Sequence, residues 1–321
     1  MHVLVTGANG FIGKNLQVWL GNRADTTVTT IGRDSSAADL SRGLADAEVV
    51  IHLAGINRPE TEEEFRTGNV DFTATICAQL AAAGKATPIL FASSTQAALD
   101  NPYGRSKRAA EEVLAGYAAN TGARVVVFRL TNVYGKWCRP HYNSVVATFC
   151  HQIARDQSIT ISDPTRVVSL VHVDDVAQAL LAHMAQRAPG GLSFADVGPV
   201  QEISLGDLAA LLRDFRAMRQ SLVVPDLSVP FTHRLYSTYL SYLDEDQFAY
   251  NLEKRCDPRG CLAEFVKSPP FGQIFVSRTK PGITRGNHYH HVKTEKFLVM
   301  EGQAIVRFRH VLTGDVLAYP V

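Results

Sequence analysis

The chain has 321 residues, enough for one large or two ordinary domains, and 46% of them are hydrophobic against 20% charged, a balance that excludes an intrinsically disordered chain. Lys and Arg number 32 against 31 Asp and Glu, for a formal net charge of +1, so bulk charge points to neither nucleic acid nor a membrane surface and leaves room only for a local basic pocket. Cys77, Cys138, Cys150, Cys256 and Cys261 stand at irregular spacings without a CxxC pair, which predicts no disulfide framework and a reducing compartment.

The apolar run Val3-Leu4-Val5 begins at once, without a basic leader, and leads straight into a glycine turn. No apolar run approaches the roughly 18 residues of a spanning helix. A cytoplasmic protein is the expectation. From there, strand-like runs at His2 to Thr6, Thr27 to Ile31, Val49 to Leu53, Pro88 to Ala92 and Arg124 to Leu130 alternate with amphipathic stretches. Those stretches include Ile12 to Leu20, Glu62 to Ala83 and Ser106 to Tyr117. Such alternation predicts βαβ units, hence an α/β fold with a doubly wound parallel sheet whose ligands sit at the carboxyl ends of the strands.

Residues 140 to 240 read as a mixed lobe. Asp174 is expected to N-cap a helix through Val176, Ala179 and Leu180, and Ser204 another through Leu208, Leu211 and Leu212. Leu235 to Leu243 reads as a lid or docking helix. After Cys256-Asp-Pro-Arg-Gly260 the pattern turns to short β-type runs at Leu262 to Val266, Gly272 to Arg278, Glu295 to Met300 and Gln303 to Arg309, which predicts an antiparallel second domain.

Gly7-Ala-Asn9-Gly10-Phe11-Ile12-Gly13 follows the first strand and opens a helix. Gly7 suits the tight turn, Gly10 admits a pyrophosphate close to backbone, and Gly13 lets helix pack on strand; the helix N-terminus offers free N–H groups to phosphate. A structural glycine turn is the bland alternative. At the end of the second strand, where NAD-binding chains place an acid for the ribose hydroxyl, stands Gly32-Arg33-Asp34. Arg33 pairs naturally with a 2′-phosphate, favouring NADP(H). A one-residue shift of the turn would instead offer Asp34 to a 2′-hydroxyl.

Tyr103-Gly-Arg-Ser-Lys107 places a phenol and an ammonium on one helical face. Lys107 lowers the cost of a Tyr103 phenolate, so Tyr103 is suited to protonate a carbonyl oxygen as hydride reaches its carbon. From the strand just upstream Ser94 is the chosen second donor, with Ser93 and Thr95 as alternatives.

Gly7 to Gly13, His52-Leu53-Ala54-Gly55, Ser93-Ser94, Tyr103 to Lys107, Arg129-Leu-Thr-Asn-Val-Tyr-Gly135 and Val171-His-Val-Asp-Asp-Val176 occur in the order found in extended short-chain dehydrogenases/reductases. The resemblance spans roughly residues 1 to 245, within an expected reductase domain over residues 1 to 250 whose substrate lobe begins at about 135. It implies a Rossmann fold acting on a nucleotide sugar, with Leu53, Ala54 and Gly55 along the cofactor, Asn132 and Arg166 toward the sugar nucleotide, and Asp174 and Asp175 as structural caps. Dehydratases of that family place Asp and Glu directly after the catalytic hydroxyl; Thr95 and Gln96 stand here and do not ionise. The family's 4-epimerases hold NAD tightly and usually carry an acid at the second strand end, where Gly32-Arg33 stands here, so net reduction by exchangeable NADPH remains.

Gly282 to Gly302 fits G(x)5HxH(x)4E(x)6G, which resembles the first metal motif of cupins. His288 and His290, alternate residues of one expected strand, would share a face, and Glu295 would arrive from the next. Two imidazoles and a carboxylate suit a divalent metal, zinc foremost. Only 60 residues follow Cys261, so residues 256 to 321 are expected to hold the first cupin motif alone, with a fourth ligand beyond Val321.

A reductase joined to a cupin resembles the bifunctional CapF/WbjC type of capsular polysaccharide and O-antigen enzyme. That resemblance implies C3 epimerisation of a UDP-2-acetamido-2,6-dideoxy-4-keto-hexose by the cupin and reduction at C4, giving UDP-2-acetamido-2,6-dideoxy-L-talose on the route to N-acetyl-L-fucosamine. The expected partners are the UDP-keto-sugar and a second copy of the chain, with neither nucleic acid nor membrane. Two other readings stand beside it: an NAD-retaining epimerase with a dimerisation cupin, and a non-catalytic NADP sensor, against which intact Ser94, Tyr103 and Lys107 argue.

Overall fold

The computed structural model describes residues 1–321. In chain order the first part runs β1 (His2–Thr6), α1 (Phe11–Gly21), β2 (Thr27–Ile31), α2 (Ala37–Asp46), β3 (Val49–His52), α3 (Glu62–Phe65), α4 (Phe72–Ala82), β4 (Ile89–Ser94), α5 (Pro102–Thr121) and β5 (Arg124–Leu130). The lobe adds β6 (Asn132–Tyr134), α6 (Val145–Ala154), β7 (Val167–His172), α7 (Val173–Ala185), β8 (Gly191–Ala195), β9 (Val200–Ser204), α8 (Leu205–Ser221) and α9 (Pro230–Leu240). The rest is β-structure: β10 (Lys254–Asp257), β11 (Gly260–Ser268), β12 (Gly272–Thr279), β13 (Ile305–Arg309) and β14 (Val316–Pro320).

Six strands form one sheet in the order β2-β1-β3-β4-β5-β8, every neighbouring pair parallel. Alternation along each strand splits the core. Leu4, Val50, Ile89, Phe91, Val125 and Val127 pack under α2, α4 and α5, while Val3, Val5, Ile51, Leu90, Val126 and Phe128 pack under α1 and α7. Both faces are covered, as a parallel sheet requires, and the doubly wound α/β expectation is borne out. A second sheet, β6-β7-β9, supports the lobe, whose own core gathers Tyr134, Phe149, Leu208, Leu212, Phe215, Leu235 and Tyr239.

Met1–Glu253 with Ala263–Val276 forms one compact unit and Lys254–Leu262 with Ser277–Val321 another. Beyond the lobe the strands form a three-stranded sheet in the order β10-β11-β12 and an antiparallel ribbon of β13 and β14.

Five expectations need correction. Glu62 to Ala83 is not one amphipathic helix: a π turn over Arg66–Asp71 separates α3 from α4, because the buried Asn69 amide bonds both backbone groups of Ile56. Asp174 does not cap α7. His172 does, its Nδ1 accepting from the Asp174 amide at 3.3 Å, while Asp174 accepts from the Trp19 indole and Lys136. Asp175, equally no cap, takes a two-pronged contact from Arg234. The lid reading of Leu235 to Leu243 fails, since Leu235 is 0% and Tyr239 1% exposed. No strand forms over Glu295 to Met300 or around His288: Val292, Leu298 and Met300 lie open to solvent, and a strand needs a neighbour to take its backbone bonds. Finally, Cys256 and Cys261 form a disulfide. The turn between β10 and β11 sets them on facing strands, with Cα atoms 4.1 Å apart. Ser204, by contrast, caps α8 as expected, accepting from the Asp207 amide at 3.0 Å.

If α9 is core rather than lid, Leu235→Ala should lower stability by about 2–5 kcal/mol, read by urea unfolding. A loss no larger than that of an exposed-residue control would restore the lid.

Candidate active site

The glycine loop turns where β1 ends. Gly7 has φ +67°, and a Cβ there would lie 2.6 Å from the Ala54 amide nitrogen; both demand glycine. The loop and the segment Leu53-Ala54-Gly55 therefore form one wall, tied by Leu53 N–H donating to the Thr6 carbonyl and Ala54 N–H to the Thr6 hydroxyl. Gly13 meets the same limit, its Cβ position lying 2.4 Å from the Gly7 oxygen. Helix α1 begins at Phe11 behind Gly10, with no side-chain cap and no acid in its first turn, so its N–H groups stay available to an anion. Ile12 turns inward against the core. The Asn9 amide occupies the space a side chain at Gly32 would need. Arg33 and Asp34 are exposed in the turn after β2.

Helix α5 carries the second half of the site. Asn101 caps it, accepting from the Gly104 amide at 2.7 Å, and Pro102 fills its first position. Tyr103 is thereby set at its N-terminal turn, and Lys107 is buried one turn later with its Nζ donating to the Ala92 carbonyl at 2.8 Å. Burial pushes the Tyr103 phenol up, opposed by its contact with the Ser94 hydroxyl, so the phenol keeps its proton at neutral pH. Burial lowers Lys107 to about 8, opposed by Glu111.

The three hydroxyls that end β4 separate cleanly. Ser93 donates to buried Glu111, Thr95 points to the Leu130 carbonyl, and Ser94 faces Tyr103. Ser94, Tyr103, Lys107, Gly55 and the glycine loop thus converge at the carboxyl edge of the sheet. Asn132 pairs with Leu170 on β7, and Arg166 stands just before β7, its N–H donating to the Asp163 carbonyl.

Sequence reasoning missed Asn69, whose side chain and the Lys107 ammonium both border Gly55; among polar neighbours such as Arg66, Thr67 and Asp71, nothing in the sequence singles it out. It also missed Glu111, and His52, held between the Thr6 and Thr73 hydroxyls. His288, His290 and Glu295 lie on exposed chain, yet their ligand atoms fall within 4.8 Å of one another. The two imidazole Nε2 atoms are 3.1 Å apart, and Lys293 donates to Glu295 at 2.7 Å. No helix is long and apolar enough to cross a membrane.

A doubly wound sheet with a glycine loop at its first turn and a Ser–Tyr–Lys cluster at its carboxyl edge defines an NAD(P)-linked oxidoreductase of the extended short-chain dehydrogenase/reductase class. The profile of the NAD dependent epimerase/dehydratase family matches residues 3–193, and the chain belongs to that family, as the motifs imply. A second profile, the polysaccharide biosynthesis C-terminal domain, matches residues 255–321. UDP-2-acetamido-2,6-beta-L-arabino-hexul-4-ose reductase of Pseudomonas aeruginosa is 46% identical over 314 residues, 98% of this chain and 84% of that protein. The crystal structure of capsular polysaccharide assembling protein CapF from Staphylococcus aureus superposes with a TM-score of 0.90 at 39% identity, covering 100% of this chain and 87% of that one. UDP-glucuronic acid 4-epimerase from Bacillus cereus in complex with NAD shares the fold alone, with a TM-score of 0.65 at 20% identity over 75% of this chain and 98% of that one.

Burial lowers His52 to about 3, so its stabilisation is complete above the ordinary value near 6.5 and is lost as pH falls toward 3. Between pH 6.5 and 5 that loss amounts to about 2 kcal/mol; His172, lowered to about 4, adds in the same direction. Urea unfolding at the two pH values should show His52→Gln with a correspondingly smaller acid loss than wild type. Identical losses would mean that His52 does not stay neutral.

Proposed function

We propose that the chain reduces the C4 keto group of a UDP-2-acetamido-2,6-dideoxy-4-keto-hexose with NADPH, on the route to UDP-N-acetyl-L-fucosamine for capsule or O-antigen. The convergence of Ser94, Tyr103 and Lys107 beside the glycine loop carries this reading, and the name of the Pseudomonas aeruginosa relative supports the substrate class. The reductase is assigned to residues 1–250 and a cupin to 256–321.

The cradle fits a dinucleotide: glycines where side chains would clash, an uncapped helix N-terminus, and a free guanidinium at Arg33 for the 2′-phosphate. When bound, NADPH supplies hydride to the keto carbon. Ser94 and Tyr103 hold the keto oxygen between two hydroxyls, and Tyr103 gives it the proton. Lys107 offsets the phenolate charge left behind. Asn132 and Arg166 are assigned to the sugar-nucleotide side of the site.

In the cupin, His288, His290 and Glu295 present a donor set that fits zinc. A metal held there would polarise a keto oxygen and so ease proton exchange at C3. We further place the enzyme in the cytoplasm as a homodimer.

Reduction is tested by following NADPH oxidation with a panel of UDP-4-keto sugars. Tyr103→Phe should bind NADPH nearly as wild type yet turn over about 10²-fold slower or worse, from loss of general acid catalysis; undiminished turnover rejects the site.

Arg33→Ala should weaken NADPH binding by roughly 1.5–3 kcal/mol, the scale of a charge-assisted contact, and leave NADH binding almost unchanged. Equal weakening of both cofactors would show that Arg33 does not read the 2′-phosphate.

A further inference from the structure

We propose that Glu111 is a positioning residue for the reduction: buried one turn after Lys107 and clamped by Ser93 and Arg129, it is the fixed anion that keeps Lys107 cationic in a dry site. The inference rests on the reading of Tyr103 and Lys107 given above.

Glu111 is 5% exposed and Lys107 4%, and four-residue spacing on α5 sets the two on one face. Its carboxylate is fully engaged. Oε1 accepts from the Ser93 hydroxyl and from Arg129 Nε at 3.1 Å, and Oε2 accepts from Arg129 Nη2 at 2.6 Å. The Arg129 guanidinium in turn lies 4.7 Å over the Phe194 ring on β8. Two β-strands of the central sheet thus hold one carboxylate still.

The other groups around Lys107 are Tyr103 on α5, the Ala92 carbonyl and the Phe91 ring on β4, the Asn69 amide from the π turn, and His52 on β3, kept neutral by burial and by Lys107 itself. Glu111 is the anion among them. Burial drives Lys107 down to about 8 and Glu111 opposes that drop. Arg129 exposes more than a third of its side chain, so its own charge is answered by water as well as by Glu111, whereas the charge of Lys107 has no such recourse. Without Glu111, Lys107 would lose its proton closer to neutrality and Tyr103 would lose the cation that offsets its phenolate.

The test titrates Lys107 directly, through the 13Cε signal of labelled full-length protein assigned with Lys107→Met, and compares it with the alkaline limb of NADPH-dependent reduction. Glu111→Gln should move the Lys107 titration down by roughly one pH unit or more, the range of a close opposite charge, and the rate limb should follow. Ser93→Ala, which removes a hydrogen bond but no charge, should leave both in place. Should Glu111→Gln fold poorly, Glu111→Gln/Arg129→Met removes the Arg129 charge that Glu111→Gln would leave unpaired and should shift Lys107 in the same downward direction. An unmoved Lys107 titration in a folded variant lacking Glu111 overturns the proposal. A moved titration with an unmoved rate limb upholds the coupling of Glu111 to Lys107 but rejects the role given to Lys107 in reduction, and with it the part given to Glu111.

Discussion

The backbone of Gly7 lies against Ala54, closer than any side chain would allow, and the rest of the site follows from that approach. It draws the turn after β1 and the segment after β3 into one surface. Because β4 pairs directly with β3, Ser94 emerges beside that surface, and α5, returning over the same face, brings Tyr103 and Lys107 to it. Each step depends on parallel strands in register, so an offset at β1 would propagate to every catalytic candidate.

Burial then does the chemical work. The carboxyl edge of the sheet is dry enough to keep the Tyr103 phenol protonated, His52 neutral and Lys107 weakened as an acid-holding group. A phenol that keeps its proton is a donor in waiting, and it serves best where a cation stabilises what it leaves behind. Polar groups in such a place need partners. The structure supplies them through short links: Ser93 to Glu111, Asn69 to Ser106, Lys107 to the Ala92 carbonyl.

Most of the framework was legible in the sequence for a plain reason. Strands buried on both faces must be short and apolar, so β1 and β5 can be read residue by residue, and the edge strand β2 shows in its β-branched run. The glycine loop and the Tyr103–Lys107 spacing are equally local signals. What stayed hidden depends on contacts distant in the chain. The π turn exists for Asn69 to reach Ile56, 13 residues back. His172 caps α7 although an aspartate stands two residues on and looks the better cap. The aromatic run of α9 reads as an exposed docking face until the lobe core that swallows it is known. His288, His290 and Glu295 meet without the strands that their spacing suggests, because spacing records which residues gather and not the backbone that gathers them.

The paired contact between Arg234 of α9 and Asp175 of α7 has a mechanical consequence. Asp175 is 7% exposed, so parting the two would strand a charge away from water, which is far costlier than breaking a surface ion pair. Within the lobe, the Tyr242 hydroxyl donates to the Cys138 carbonyl in the turn after β6 at 2.6 Å. The lobe helix α9 is therefore tied to α7, which packs under the central sheet. Moving α9 away from the sheet would first have to break the Arg234–Asp175 pair, so the position of the lobe helix is set by a residue of the sheet's own covering helix.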